Sequence, residues 1–153
     1  MSGKDIRESV GLLLVVASMV FVGLEIRQNT RAIQATAIQN LTDSFREQMQ
    51  LYINDPQLVG IMVRANETPG ELSPEEAQRF FGYFVSGALT TQSAFRQWRL
   101  GVLPDEEWSV VRAVTCQDLT LPSFQELWPQ VRGTLAPSFV AEIENSCVAA
   151  PTD

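Results

Sequence analysis

The sequence contains no histidine among its 153 residues. Without that side chain the chain cannot build a Ser-His-Asp triad, a cysteine–histidine protease pair, a HExxH zinc site or a haem held by histidine. Its two cysteines, Cys116 and Cys147, are too few for a disulfide scaffold and lack the spacing of a zinc site. Because no other catalytic constellation is found, we predict a protein that is not an enzyme and that uses no metal and no cofactor.

Basic residues are also scarce. Eleven Lys and Arg stand against eighteen Asp and Glu, for a formal net charge of −7. A nucleic-acid binder needs a concentrated basic surface to displace counterions, so nucleic acid is not expected as a partner. Hydrophobic residues make up 45% of the chain, which is enough for a folded core.

Charge is missing altogether from residues 9–24, SVGLLLVVASMVFVGL. Extended to residues 6–26, this stretch gives about 31 Å of helix, which matches a hydrocarbon core roughly 30 Å thick. Arg7, Glu8 and Glu25 then lie at the two boundaries, where long side chains reach the headgroups. We predict an uncleaved transmembrane anchor over residues 9–26.

Two alternatives to an anchor are a cleaved signal peptide and a buried core helix. The first lacks a cleavage site with two small residues, since Phe21 and Gly23 would occupy the −3 and −1 positions. The second does not agree with apolar residues on every face, because soluble helices are amphipathic.

The chain then continues from Glu25 to Asn54 without glycine or proline. Apolar residues recur at helical spacing, at Ile33, Ala37, Leu41, Phe45, Met49 and Tyr52. The pattern predicts one long helix, continuous with the anchor. We expect it to end at Asp55-Pro56, because a residue before proline disfavours the helical conformation.

Later helices are marked by prolines at their first turns. Starts of this kind are at Pro56, Pro74, Pro104, Pro122 and Pro137. The helix after Ser73 has a heptad-like seam, and we expect it to pack antiparallel on the distal part of the first helix. The seam consists of Ala77, Phe81, Phe84, Ala88, Thr91, Phe95 and Trp98.

No segment alternates for long enough to predict a sheet. The predicted fold is therefore all-α, with an N-terminal transmembrane helix continuous with a long helix and packed distally by a small antiparallel helical bundle. We divide the chain into a polar N-terminal segment (1–8), the anchor (9–26), a helical bundle domain (27–147) and a flexible tail (148–153).

Four segments resemble a widespread family of small, uncharacterised bacterial single-pass helical membrane proteins. The most distinctive is EIRQNTRAIQA, residues 25–35, directly after the span. The others are LSPEEAQRF (72–80), RQWRLGVLPDEEW (96–108) and APSFVAEIE (136–144). The resemblance covers nearly the whole chain and brings no catalytic residues with it.

The resemblance implies a bacterial inner membrane protein with a single span. In that family positive charge lies mainly after the span, which implies a cytoplasmic body, although Lys4 and Arg7 depart from this pattern. In line with it, we expect Cys116 and Cys147 to be reduced thiols. The alternative is a disulfide in an oxidising compartment.

Four polar residues where the helix leaves the membrane form the first candidate site. They are Arg27, Gln28, Asn29 and Arg31. Arg side chains pair well with phosphate, so these residues would contact anionic lipid headgroups or a neighbouring membrane protein. The alternative is a plain polar boundary that keeps the span in place.

The second candidate site is a side of the span where Gly11, Ser18 and Glu25 lie seven residues apart. Small residues let two membrane helices approach closely, so a second helix would pack there. The alternative is that glycine and serine are simply common in spans.

The third candidate is an apolar pocket lined by Phe81, Phe84, Phe95 and Trp98, suited to a lipid tail. Ordinary core packing is the alternative for these side chains.

The leading functional prediction is a membrane-anchored protein that works through contacts. It would be an accessory or scaffold subunit of an inner-membrane protein assembly, or a homo-oligomer. Its partners would be membrane lipid and either a membrane protein or a second copy of itself. The alternative prediction is a module that binds lipid or a small apolar ligand among its aromatic residues.

Overall fold

A computed structural model describes residues 3–68 and 70–148, with side chains from residue 10 to residue 147. Every regular element in these ranges is helical, which confirms the all-α prediction. Six α-helices follow one another: α1 (Gly3–Asn54), α2 (Pro56–Glu67), α3 (Pro74–Arg99), α4 (Asp105–Asp118), α5 (Pro122–Val131) and α6 (Pro137–Val148). A short 3-10 turn, Arg132–Thr134, follows α5.

The chain divides within α1 into two compact units, residues 1–36 and residues 37–153. The predicted polar segment 1–8 belongs to the first unit, and its residues 1–2 lie outside the described part. Residues 27–36, which the predicted bundle domain includes, also fall in the first unit. The predicted tail, 148–153, is outside the described residues apart from the backbone of residue 148.

The first unit consists of a single helical segment whose side chains are exposed from residue 10 to residue 33. Large apolar groups are among them, including Leu12, Leu13, Met19 and Phe21, each about 60 to 70% exposed. Within the described residues, this is the one helix that is long and apolar enough to cross a membrane. A surface of this composition is expected to be covered by lipid or by another helix.

Local sequence signals set the helix boundaries in the second unit. Asp55 caps α2, because its carboxylate accepts hydrogen bonds from the backbone amides of Gln57 (3.0 Å) and Leu58 (3.2 Å). Ser73 and Glu76 form a capping box at the start of α3. Pro129 lies inside α5, which ends two residues later at Val131.

The core of the second unit lies where α3 packs on α2, α4 and α5, and where α4 packs on α6. Its most deeply buried side chains are Ile61, Ala94, Leu103, Trp108, Val131, Phe139 and Ile143. In the part of α1 that belongs to this unit, Ala37 and Leu41 are buried, whereas Met49 on the same predicted apolar face is 53% exposed. The apolar face of α1 is therefore only partly used.

Candidate functional site

The residues predicted to contact membrane or partner lie in the first unit and are all exposed. Arg27, Gln28, Asn29 and Arg31 form the polar part of the helix directly after the apolar stretch. Gly11, Ser18 and Glu25 are exposed as well, and a Cβ placed at Gly11 would meet no atom within 4 Å. The hydroxyl of Ser18 donates a hydrogen bond to the Val15 carbonyl at 2.7 Å, so its polarity is satisfied within the helix.

Two of the four predicted pocket residues belong instead to a solid aromatic cluster. Phe95 is 3% exposed, and its ring centroid lies 5.8 Å from Trp98, 5.5 Å from Trp108 and 5.6 Å from Phe139. The rings of Trp98 and Trp108 stack at 5.5 Å. Separations of this size are typical of packed aromatic pairs, so Phe95 and Trp98 stabilise the core.

The other two predicted residues line different concavities. Phe81 lies in an open surface recess between α3 and α5, beside Phe80 and Leu127. Phe84 lines a separate apolar cavity of about 290 Å³. The four predicted residues therefore do not line one cavity, because the aromatic residues of α3 pack on rings from three different helices, α4, α5 and α6.

This apolar cavity is formed by side chains from all six helices. Its apolar walls include Phe45, Met49, Met62, Phe84, Ala88, Val111, Val114, Leu119, Phe124, Trp128 and Phe139. Five polar side chains also line it: Gln48, Tyr83, Thr91, Thr115 and Asp118. The hydroxyls of Thr91 and Thr115 donate hydrogen bonds to carbonyls of their own helices, which leaves Gln48, Tyr83 and Asp118. Apolar walls with a few converging polar groups are the usual composition of a small-molecule site.

Gln48 reaches the cavity beside Gly87 of α3. A Cβ at Gly87 would lie 2.7 Å from the Gln48 Nε2 atom, so glycine leaves room for the amide to lie against the α3 backbone. Tyr83, four residues earlier on the same helix, packs on Tyr52 of α1 with ring centroids 6.3 Å apart. These two contacts set the polar edge of the cavity.

Asp118 is the last residue of α4. It is exposed at the mouth of the cavity, yet the apolar groups around its carboxyl remove enough water to raise its pKa above the ordinary value. The pKa of Tyr83 is raised as well, first by burial and then by the charges of Asp118 and Tyr52. Neither side chain makes a hydrogen bond or ion pair with another described residue. The cavity thus holds an anionic group with no cation beside it.

The two cysteines are joined. Cys116 of α4 and Cys147 of α6 form a disulfide, with their Cα atoms 4.9 Å apart. The expectation of reduced thiols is therefore wrong: packing of α4 on α6 brings the two half-buried side chains together. That distance lies inside the range that a disulfide requires.

Sequence reasoning did not single out Tyr83 or Asp118. Asp118 carries one local signal, since an acidic residue in the last turn of a helix faces the negative end of the dipole. Tyr83 carries no comparable signal. Within the described ranges, no group of three or more Asp, Glu or Cys side chains is placed to hold a metal ion.

Comparison with known proteins adds no relative from which a role can be carried over. No protein-family model, no curated protein and no solved structure matches the chain.

Proposed function

We propose that this chain is a non-enzymatic, membrane-anchored helical protein that acts through contacts with other membrane proteins. It serves either as an accessory or scaffold subunit of an inner-membrane assembly or as a homo-oligomer. The observation that carries the proposal is the helical segment over residues 10–26, whose apolar side chains are exposed on every face. Lipid tails can cover such an apolar surface, and small residues on it allow a second helix to pack closely.

Site-specific crosslinking in membranes tests this proposal. A cysteine in place of Ser18 lies on the side of the span that carries Gly11 and Glu25, and a cysteine in place of Val20 lies about 200° away. We expect a bis-maleimide to capture a second chain through Ser18→Cys and not through Val20→Cys. If both variants give only the uncrosslinked chain at native expression, association through this side of the span is wrong.

The body, residues 37–147, is proposed to lie on the oxidising side of the membrane. Two basic residues precede the span (Lys4 and Arg7) and two follow it closely (Arg27 and Arg31), so charge favours neither orientation. The disulfide supports an oxidising compartment, because cytoplasmic thiols are kept reduced. This proposal replaces the cytoplasmic body that the family resemblance implied.

Thiol labelling of cells that are quenched with acid and then denatured tests the orientation, because acid preserves the redox state and denaturation exposes both cysteines to the reagent. We expect a polyethylene-glycol maleimide to shift the chain on a denaturing gel only after reduction, by two labels. Labelling of both cysteines without reductant would contradict this orientation and would favour the cytoplasmic body that the family resemblance implied.

A second candidate function is the binding of a small apolar ligand, and the cavity beside Phe84 favours it. Its volume of about 290 Å³ is close to the lower end of the range for ligand sites, roughly 300 Å³. Filling it with Ala88→Phe should abolish binding of an apolar probe such as 4-phenylbutanol. Binding is followed by tryptophan fluorescence, to which Trp128 in the cavity wall contributes. Equal binding by the variant would exclude this cavity as the site.

A further inference from the structure

The position of Asp118 is unfavourable for the free protein in three respects. It ends α4, where the carbonyl groups carry partial negative charge. Apolar neighbours partly desolvate its carboxylate, and none of the ion pairs among the described side chains includes Asp118. Residues that break a local rule in this way are concentrated at functional sites.

A cation beside Asp118 would relieve all three costs at once. It would neutralise the carboxylate, oppose the negative end of the α4 dipole and replace the lost water with a charge-assisted hydrogen bond. Nothing in the described chain supplies that cation, so a ligand is the source that fits the cavity.

Tyr83 adds a second feature of the same cavity. Tyr83 and Asp118 line the same cavity, and the charge of Asp118 contributes to the raised pKa of the Tyr83 hydroxyl. A tyrosine ring attracts cations through the negative face of its π-system. A cavity lined by both a carboxylate and an aromatic ring offers an ammonium group two kinds of favourable contact.

The remaining walls determine what the ammonium group must carry. They are almost entirely aliphatic and aromatic, and a volume of about 290 Å³ accommodates on the order of ten non-hydrogen atoms at roughly 30 Å³ each. Gln48 contributes an amide at the rim, which can accept a further hydrogen bond from the same head group.

We propose that this cavity binds a small molecule with an ammonium head and an apolar body of about ten carbon atoms, the head lying between Asp118 and Tyr83. This inference rests on the second candidate function, ligand binding by the cavity, and names the class of ligand. A ligand of the same shape with a carboxylate head would be repelled by Asp118. A ligand with an alcohol head lacks the positive charge that pairs with Asp118.

Three probes with one tail separate these possibilities: 4-phenylbutylamine, 4-phenylbutanol and 4-phenylbutyrate. Each is titrated into the full chain in lipid nanodiscs, with empty nanodiscs as the control for partitioning. We expect the amine to bind about ten- to a hundredfold more tightly than the alcohol, and the carboxylate not to bind measurably.

Substitutions then assign the preference to its residues. Asp118→Asn should lower the amine affinity to the level of the alcohol and leave the alcohol unchanged. Tyr83→Leu should weaken the amine several-fold, whereas Tyr83→Phe, which keeps the ring, should change it little. Glu106→Gln removes the same charge at an exposed position at the other end of α4 and should change nothing.

The outcomes distinguish the inference from the function on which it rests. Equal affinity for amine and alcohol, with both lost in Ala88→Phe, overturns the ammonium inference and keeps apolar binding. Absence of binding by all three probes overturns both. An amine preference that survives in Asp118→Asn also overturns the inference, since at this exposed position the substitution leaves the fold intact.

Discussion

The side-chain oxygen of Gln92 accepts a hydrogen bond from the backbone amide of Ala136, 44 residues further along the chain. Gln92 is 7% exposed in the middle of α3, and Ala136 directly precedes α6. This hydrogen bond joins the start of α6 to α3. A buried glutamine on an otherwise apolar face is therefore explained by the backbone group that it satisfies.

Replacing Gln92 with leucine should destabilise the protein although it adds apolar area. The Ala136 amide would lose its partner in a partly buried place, at a cost of about 1 to 3 kcal/mol. Urea unfolding followed by circular dichroism measures the change. The matched control is Gln78→Leu at an exposed position on the same helix, which should stay within about 0.5 kcal/mol of the parent.

Loss of the disulfide should lower the free energy of unfolding by about 2 to 4 kcal/mol. The bond closes a loop with a sequence separation of 31 residues, and its removal frees the unfolded chain. Cys116→Ser, Cys147→Ser and the double variant should lose the same amount, as should the parent protein in reductant. If the unfolding midpoint of the parent protein is the same with and without reductant, this prediction is contradicted.

The aromatic cluster should respond strongly to truncation of Phe139. Its side chain is fully buried against Phe95, so Phe139→Ala removes a large apolar group and leaves a cavity, at a cost of about 3 to 5 kcal/mol. Val110→Ala is the control, because Val110 is 58% exposed on α4 and should change stability by less than about 0.5 kcal/mol. Comparable losses for the two variants would show that burial in this cluster is not what stabilises it.

Asp118→Asn should stabilise the free protein at neutral pH. The folded-state pKa of Asp118 is raised, so the folded state binds the proton more tightly than the unfolded state. The penalty is therefore present above the folded-state pKa and disappears as pH falls through the ordinary value of 3.8. We expect a gain of about 0.3 to 1 kcal/mol at pH 7 from the helix dipole.

The pH series itself provides the check on that prediction. The stability difference between Asp118→Asn and the parent should be largest near pH 7 and vanish near pH 3, because protonated Asp118 resembles asparagine in charge. A difference that grows on acidification would have the wrong sign and would contradict the assignment.

Helix existence and boundaries were predictable from the sequence, because local chemistry sets them. Asp55-Pro56 ends one helix and caps the next, and Ser73 with Glu76 forms a capping box at the predicted start of α3.

Burial on α3 was predicted less well. Phe84, Thr91 and Phe95 of the predicted seam are buried, but Ala77 is exposed and Phe80, outside the seam, is 3% exposed. A heptad pattern assumes one facing helix, whereas α3 contacts α2, α4 and α5. For the same reason the cavity was not predictable: an unfilled space depends on how several helices meet, and periodicity within one helix carries no information about it.

The cross-link between α4 and α6 turns part of this polypeptide into a covalent ring. A protease that cuts once inside the ring, for example after the exposed Arg132 in the 3-10 turn, produces two fragments that stay attached. The nicked molecule keeps its mass until the bond is reduced, and the C-terminal fragment is released only then. Wherever peptidases are abundant, such a closure lets the bundle survive a break in its backbone.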